Sequence, residues 1–298
     1  MAQAARVQVE VAGRQLSLSN LDKVMYPIAR FTKGQVIDYY TRIAPVLLPH
    51  LRDRPLTLKR YPNGVGGAYF YEKQCPEHRP EWVETAEIRM ESKDINFCLC
   101  NDLPTLVWAA NLADLELHPS LSKADRIERP TTMAFDLDPG EPATIEECCE
   151  VALLLREALE QLGLQSFPKT SGSKGMQLYV PLNTELTYAD VRPLAQALAR
   201  HLEAQHRTLI VSVQKKELRR GKVLIDWSQN HEKKTTVSVY SLRARERPTV
   251  STPLAWEEVE RADTDELTFE AYEVLDRVEK HGDLFAPVVE REQALPEL

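Results

Sequence analysis

A mixed α/β fold is what this sequence predicts, and three observations predict it. Short β-prone runs recur along the chain, amphipathic helical patterns lie between most of them, and near residues 209–240 strand-like runs follow one another without a helix between. Strands alternating with helices and strands in direct succession together imply mixed sheets flanked by helices. At 298 residues the chain can bury a large core, and its 43% hydrophobic and 28% charged residues are those of an ordinary globule. No apolar run approaches membrane-spanning length, and Met1 to Arg14 lacks the apolar centre of a secretion signal. A cytoplasmic protein with no membrane partner is the expectation.

The strands expected, in order, are Val7–Val11, Leu56–Arg60, Ala68–Tyr71, Met133–Leu137, Gln177–Val180, Leu209–Val213, Val223–Asp226 and Thr235–Tyr240. Thr32–Leu51 reads as a helix capped by Thr32, with Val36, Tyr39, Tyr40, Ile43 and Leu47 on one face. Thr144–Leu162 opens on Thr144 with Glu147 three residues on, a capping-box spacing, and closes before Gly163. Tyr188–His206 and Leu267–His281 complete the helices. Residues 1–285 are expected to form a single domain, followed by a frayed tail or linker stub over 286–298.

Five cysteines, Cys75, Cys98, Cys100, Cys148 and Cys149, are odd in number and form no C-x-x-C. They read as reduced thiols rather than a disulfide framework, and Cys75, His78, Cys98 and Cys100 make a poor zinc set. Net charge is −8, unevenly spread. The stretch from Arg207 to Arg247 is basic, whereas Glu257, Glu258, Glu260, Asp263, Asp265 and Glu266 form an acidic flank. A basic segment of this kind suits a polyphosphate partner.

The most informative residues are Phe135-Asp136-Leu137-Asp138-Pro139-Gly140 and Val223-Leu224-Ile225-Asp226-Trp227. Side chains alternate across a strand, so Asp136 and Asp138 share a face. Like charges so placed repel unless a cation lies between them, and Asp226 on a second strand would complete an oxygen-ligand set for Mg²⁺ or Mn²⁺. Such a set suits two-metal phosphoryl or nucleotidyl transfer. Thr170-Ser171-Gly172-Ser173-Lys174-Gly175 adds a loop of glycines, hydroxyls and one lysine that reads as a phosphate cradle, though it is not a Walker A motif.

In this order these segments, with Leu21-Asp22-Lys23-Val24-Met25-Tyr26-Pro27, Thr32-Lys33-Gly34, Leu115-Glu116-Leu117-His118-Pro119 and Ser241-Leu242-Arg243, strongly resemble the polymerase domain of ligase D. That domain belongs to the archaeo-eukaryotic primase superfamily and acts in non-homologous end joining. The resemblance covers nearly the whole chain and implies a primase-polymerase core with its active site in a cleft between sheets. It implies Asp136, Asp138 and Asp226 as ligands of two Mn²⁺ or Mg²⁺ ions, with His118 important for activity. Ser171, Lys174, Arg219 and Arg243 would hold the nucleotide triphosphate. Lys23, Lys33 and Lys59 would grip a downstream 5′-phosphate, and Phe70 and Tyr71 would stack on template bases.

The same resemblance implies a template-directed polymerase that fills gaps and extends ends, accepts NTPs or dNTPs with a ribonucleotide preference, and is nucleoid-associated. Its implied partners are DNA with gaps, overhangs or double-strand ends, Ku, and a separate or fused ligase. The rivals are a primase that starts chains de novo and a non-catalytic end-bridging protein. One position departs from the family pattern, which usually reads S-G-S-K-G-x-His. Here Gln177 takes the place of a histidine expected to contact the triphosphate, so a neutral donor replaces a charged one.

Overall fold

The computed structural model describes residues 6–90, 93–262 and 267–296. Its strands are β1 Arg6–Val11, β2 Arg14–Ser19, β3 Val24–Tyr26, β4 Phe31–Thr32, β5 Pro55–Arg60, β6 Phe70–Glu72, β7 Thr85–Arg89, β8 Asp94–Leu99, β9 Asp114–Pro119, β10 Thr132–Pro139, β11 Phe167–Thr170, β12 Met176–Pro181, β13 Ile210–Val211 and β14 Val223–Asp226. The helices are α1 Lys33–Leu51, α2 Leu103–Asn111, α3 Ile145–Gln161, α4 Tyr188–Gln205, α5 Trp256–Arg261, α6 Ala271–His281 and α7 Pro287–Glu290.

Two five-stranded sheets carry the molecule. In the first, β5 pairs with β9 along one edge and with β6 and β8 along the other, and β7 completes the sheet beyond β8. The second runs β11-β12-β10-β14-β13, antiparallel except for the parallel pair β13 and β14. The mixed α/β class expected from the sequence is therefore observed. Among the described residues, no helix is long and apolar enough to cross a membrane.

Strand period explains how the second sheet serves two environments. Met133, Phe135 and Leu137 of β10, with Met176, Leu178 and Val180 of β12, face a core shared with α3 and α4. The residues between them, Ala134, Asp136, Asp138, Gln177 and Tyr179, face the opposite way, toward the first sheet. That opposed face is where the acids emerge.

The helix signals hold at their N-termini. Thr32 and Thr144 both make capping boxes, with Gln35 and Glu147. All five residues assigned to the inner face of α1 are buried, and Tyr40 ties it down by donating to Leu115 O (2.9 Å) and accepting from Leu242 N (3.1 Å).

Several expectations change. Thr235–Tyr240 is not a strand: its bridge is Thr235 to Ser120, Thr236 and Ser238 then donate to Pro119 O and Leu117 O, and Tyr240 turns into the left-handed region at φ 62°. The expected strand at 209–213 shortens to Ile210–Val211, and α6 begins at Ala271 rather than Leu267. Residues 286–296 are docked rather than frayed, since Val288 is buried and Gln293 bonds Pro181 O, Leu182 O and Gln165. Cys75 and Cys98 form a disulfide, contrary to the reading of all five as reduced; the pairing depends on Cys75 lying across from β8, which spacing alone does not reveal. Cys100, Cys148 and Cys149 are free and buried. Asp263, Asp265 and Glu266 of the acidic flank lie outside the described residues, and Glu258 is clamped by Arg277 at 2.8 Å through both oxygens.

One side chain stands in for a strand. Where β14 has ended, Asn230 Oδ1 accepts from Ala134 N (2.8 Å) and its Nδ2 donates to Ala134 O (2.7 Å), prolonging the pairing of β10. Asn230→Ala should leave both buried backbone groups without partners and lower stability by about 1–3 kcal/mol, read by urea unfolding.

Candidate active site

The acids of β10 open into a cleft of about 650 Å³ between the two sheets. One wall is Asp136, Asp138 and Gln177 of the second sheet, and the other is Thr57, Tyr71 and His118 of the first. Ser171, Lys174, Arg219 and Arg243 also line it, so the cleft gathers most of the side chains expected to act on a triphosphate. Lys73 lines it too, as do Lys233 and Lys234 of the basic stretch from Arg207 to Arg247.

Asp136 and Asp138 share a face, as the D-x-D spacing requires, and Asp226 is the cross-strand partner of Asp136. Asp136 and Asp138 resist ionising together. Burial, then Asp138 and Asp226, raise the proton affinity of Asp136, while Gln177 opposes the rise with a hydrogen bond. Burial and then Asp226 raise Asp138, against the pull of Arg219 and Arg243. Asp226 lies deeper, with Oδ1 receiving Ser228 N and Ser228 Oγ, and Oδ2 receiving Gln229 Nε2.

Among the described residues, no three acid, histidine or cysteine side chains are gathered as a ready metal centre. The donor chemistry nonetheless fits a divalent ion. Hard carboxylate oxygens whose mutual repulsion a cation would relieve are what Mg²⁺ and Mn²⁺ prefer. Asp226 Oδ2 accepts a single hydrogen bond and keeps a lone pair for such an ion.

The serine-glycine loop is held by itself as much as it is shaped for a ligand. Ser171 Oγ accepts from Ser173 N and Gly175 N, both at 3.2 Å. A Cβ on Gly175 would lie 2.0 Å from Leu137 O, and one on Gly172, at φ +66°, would lie 2.6 Å from the Val250 backbone. Both glycines are thus needed for packing against neighbouring backbone. Lys174 pairs with the exposed Glu141 at 2.9 Å, a weak surface contact that an anion can displace. Arg243 donates to Ser171 O, and Arg219 to Gln214. Arg219 Nε is buried without a hydrogen-bond partner among the described residues, and Arg243 Nε has only a 3.5 Å ion-pair approach to Glu116.

On the opposite wall the structure adds a residue without an assigned role in the sequence reading. Glu116 is buried and gathers His118 Nε2 (3.0 Å), Lys59 Nζ (3.0 Å), Ala244 N (3.0 Å) and Arg243 Nε (3.5 Å). Burial alone would raise its carboxyl, but His118, Arg243 and Lys59 hold it well below the usual range. Burial lowers the proton affinity of His118, against the pull of Glu116, and its ring meets Tyr71 edge-on at 5.9 Å. The E-x-H spacing within Leu115-Glu116-Leu117-His118 carried the same same-face signal as D-x-D.

Lys59, expected beside Lys23 and Lys33, is instead committed to Glu116 and a ring of Tyr61, Tyr69 and Tyr71. The adjacent residue on β5 points the other way, and Arg60 is the charge that reaches Lys33. Lys33, buried and donating to Ser19 O at 2.7 Å, is lowered to about 8 by burial, then by Lys23 and Arg60. Lys23 donates to Pro62 O and Asn63 Oδ1. Phe70 and Tyr71 are both exposed and part company in the same manner, Phe70 under Arg60 and Tyr71 beside His118.

Both ends of the Gln177 amide are engaged, with Nε2 on Asp136 and Oε1 on Lys169. Lys169 belongs to none of the motifs legible in the sequence.

Residues 32–285 match the family model of the LigD primase-polymerase domain. The chain is 42% identical over 276 residues to the multifunctional non-homologous end joining protein LigD of Mycolicibacterium smegmatis, covering 92% of this chain and 36% of that protein. It is 32% identical over 269 residues to the bifunctional LigD of Bacillus subtilis, covering 90% of this chain and 43% of that protein. The chain therefore spans about two fifths of the length of these relatives. Among solved structures, the polymerase domain of Mycobacterium tuberculosis ligase D in complex with DNA superposes with a TM-score of 0.88 at 36% identity, covering 93% of this chain and 99% of that one.

Repulsion among the acids has a measurable consequence without metal. A carboxyl whose folded-state pKa is raised costs nothing below its unfolded value near 4 and destabilises as pH climbs from there toward the raised value. In chelator, Asp136→Asn should therefore be more stable than the wild type at pH 7.5, by roughly 1–3 kcal/mol, with the difference fading toward pH 4. Thermal melts across that range check it.

Proposed function

The chain belongs to the LigD primase-polymerase domain family, and from that premise we propose a template-directed nucleotidyltransferase that fills gaps and extends broken DNA ends. One observation supports this reading above the others: Asp136 and Asp138 face, across one cleft, the cations Arg219, Arg243 and Lys174. Carboxylates beside arginines suit a reaction between a metal-bound triphosphate and a hydroxyl. Asp136, Asp138 and Asp226 would hold two Mn²⁺ or Mg²⁺ ions, which supply activation of the primer 3′-hydroxyl and neutralisation at the α-phosphate.

The chain's own residues then divide the work. Arg219, Arg243, Lys174 and Ser171 receive the triphosphate. Glu116 holds His118 at the cleft wall in one orientation. Tyr71 and Phe70 offer exposed rings to unpaired template bases, each worth about 1–3 kcal/mol of stacking. Lys23 and Lys33, joined by Arg60 rather than Lys59, form a cationic site for a 5′-phosphate. Ribonucleotide preference, Ku, a ligase partner and a place near the nucleoid belong to the same reading, with residues 1–285 as one catalytic unit.

Primer extension on a gapped duplex, with Mn²⁺ or Mg²⁺ and NTPs or dNTPs, tests it. Templated addition should occur and should fall at least about 100-fold in Asp138→Ala, with the fold retained. Equal product from both proteins would sink the reading. DNA binding without any extension would turn it toward an end-bridging protein.

A second expectation concerns the cationic site. A 5′-phosphate on the gap should raise affinity by about 5- to 30-fold, and Lys33→Met should erase most of that increment. Because Lys33 in the free protein titrates at about 8, the increment should shrink as pH rises past that value, where the ammonium must first be restored. Fluorescence anisotropy on paired DNAs at pH 7 and 9.5 measures it. An increment indifferent to both the variant and the pH would remove Lys33 from the site.

A further inference from the structure

At one level of the second sheet, four strands place Lys169, Gln177, Asp136 and Asp226 in a transverse row. Lys169 is the register partner of Gln177, Gln177 of Asp136, and Asp136 of Asp226. The first three are joined by hydrogen bonds, Lys169 Nζ donating to Gln177 Oε1 at 2.6 Å and Gln177 Nε2 donating to Asp136 Oδ1 at 3.0 Å.

Lys169 is fully buried, and lysines are almost never so unless paired. Burial, with Arg243, lowers its proton affinity against the pull of Asp136, yet the contacts around Nζ are those an ammonium makes. Three N–H groups meet three acceptors: Gln177 Oε1, Ser251 Oγ at 2.7 Å and Val237 O at 3.2 Å. Ser251 spends its own hydroxyl proton on Thr170 O at 2.9 Å, so toward Lys169 its oxygen can only receive. The Tyr179 ring lies 5.4 Å away.

This arrangement resolves an ambiguity inherent in a glutamine. A terminal amide can rotate to present either oxygen or nitrogen, and oxygen against Asp136 would be repulsive. An ammonium has no acceptor, so only the amide oxygen can face Lys169, and the NH₂ is forced onto the carboxylate. We propose that Lys169 is a positioning residue for nucleotide addition, acting through Gln177 to fix the amide against Asp136 and hold that carboxylate in one orientation. The inference rests on the reading of the cleft as a nucleotidyltransferase site.

The test compares wild type, Lys169→Met, Gln177→Met, Gln177→His and Lys169→Met/Gln177→His. Folding is followed by circular dichroism, extension by kcat and nucleotide KM, and Mn²⁺ affinity by calorimetry without DNA or nucleotide. Lys169→Met should lower kcat about tenfold with KM little changed, and weaken Mn²⁺ binding about fivefold. Gln177→Met should lose at least as much turnover. A protonated imidazole has donors on both nitrogens and needs no orienting partner, so in the Gln177→His background the loss of Lys169 should cost no more than about twofold.

Turnover and Mn²⁺ affinity within about twofold of wild type in folded Lys169→Met would overturn the proposal. So would an equal loss in both backgrounds, because Lys169 would then act independently of residue 177. Full turnover in Gln177→Met overturns it without any change at Lys169, whatever the folding of the lysine variant. If the wild type does not extend primers, the functional reading falls and the Mn²⁺ titration decides alone, with unchanged affinity in Lys169→Met ending the proposal.

Discussion

Repulsion between carboxylates on one strand is the constraint around which the rest of this molecule is arranged. Asp136 and Asp138 cannot be moved apart, because strand geometry fixes them on one face, and Asp226 is brought to Asp136 by the register of β14. A sheet tolerates such a site when its other face is strongly anchored. Phe135, Leu137, Leu178 and Ile225 provide the anchor, wholly buried under α3 and α4. Their burial contributes roughly 1.5–3 kcal/mol per large side chain, more than the strain of the acids opposite. The same strand therefore carries its own stabilisation on odd-numbered residues and its chemistry on even ones.

Compensation for the acids is distributed by depth. Arg219 and Arg243 stand at the cleft, where their charge reaches Asp138. Glu116 counts against them, yet it is the group that organises the opposite wall, since one carboxylate receives His118, Lys59, Arg243 and a backbone amide. A buried carboxylate so fully satisfied is tolerable, whereas removal of any cation around it would leave an expensive remainder. Arg243 contacts both Glu116 and the Ser171 loop, so it couples the two sheets across the space where a triphosphate would lie.

Much of this was legible in the sequence because it depends on local rules. The caps at Thr32 and Thr144, the inner face of α1 and the shared face of Asp136 and Asp138 follow from spacing within one element. The clustering of Ser171, Lys174, Arg219 and Arg243 rested on family resemblance, and the cleft does bring them together. What escaped depends on register between strands distant in sequence. Lys59 meets Glu116 and Arg60 reaches toward Lys33 because one residue of phase on β5 decides which side each faces. The disulfide of Cys75 and Cys98, the docking of residues 286–296 and the partnership of Lys169 with Gln177 likewise require the assembled sheets. Glu116 was within reach, because E-x-H on β9 obeys the same period as D-x-D.

Position 177 shows how a one-dimensional departure can mislead. Read along the chain, glutamine in place of histidine is the loss of a charged donor near the triphosphate. Across the sheet, that glutamine lies between a buried ammonium and the central carboxylate. The positive charge stands one strand further away, on β11, and the amide connects it to Asp136 by hydrogen bonds. Such a relay attenuates the direct attraction but adds directionality, because ammonium and carboxylate together leave the amide a single favourable orientation. A donor that cannot turn is better suited to hold a carboxylate still than a stronger one free to choose its partner. The cost is a lysine buried without direct contact with its countercharge, and the sheet meets it by supplying three oxygen acceptors from β12, the 237–238 segment and Ser251.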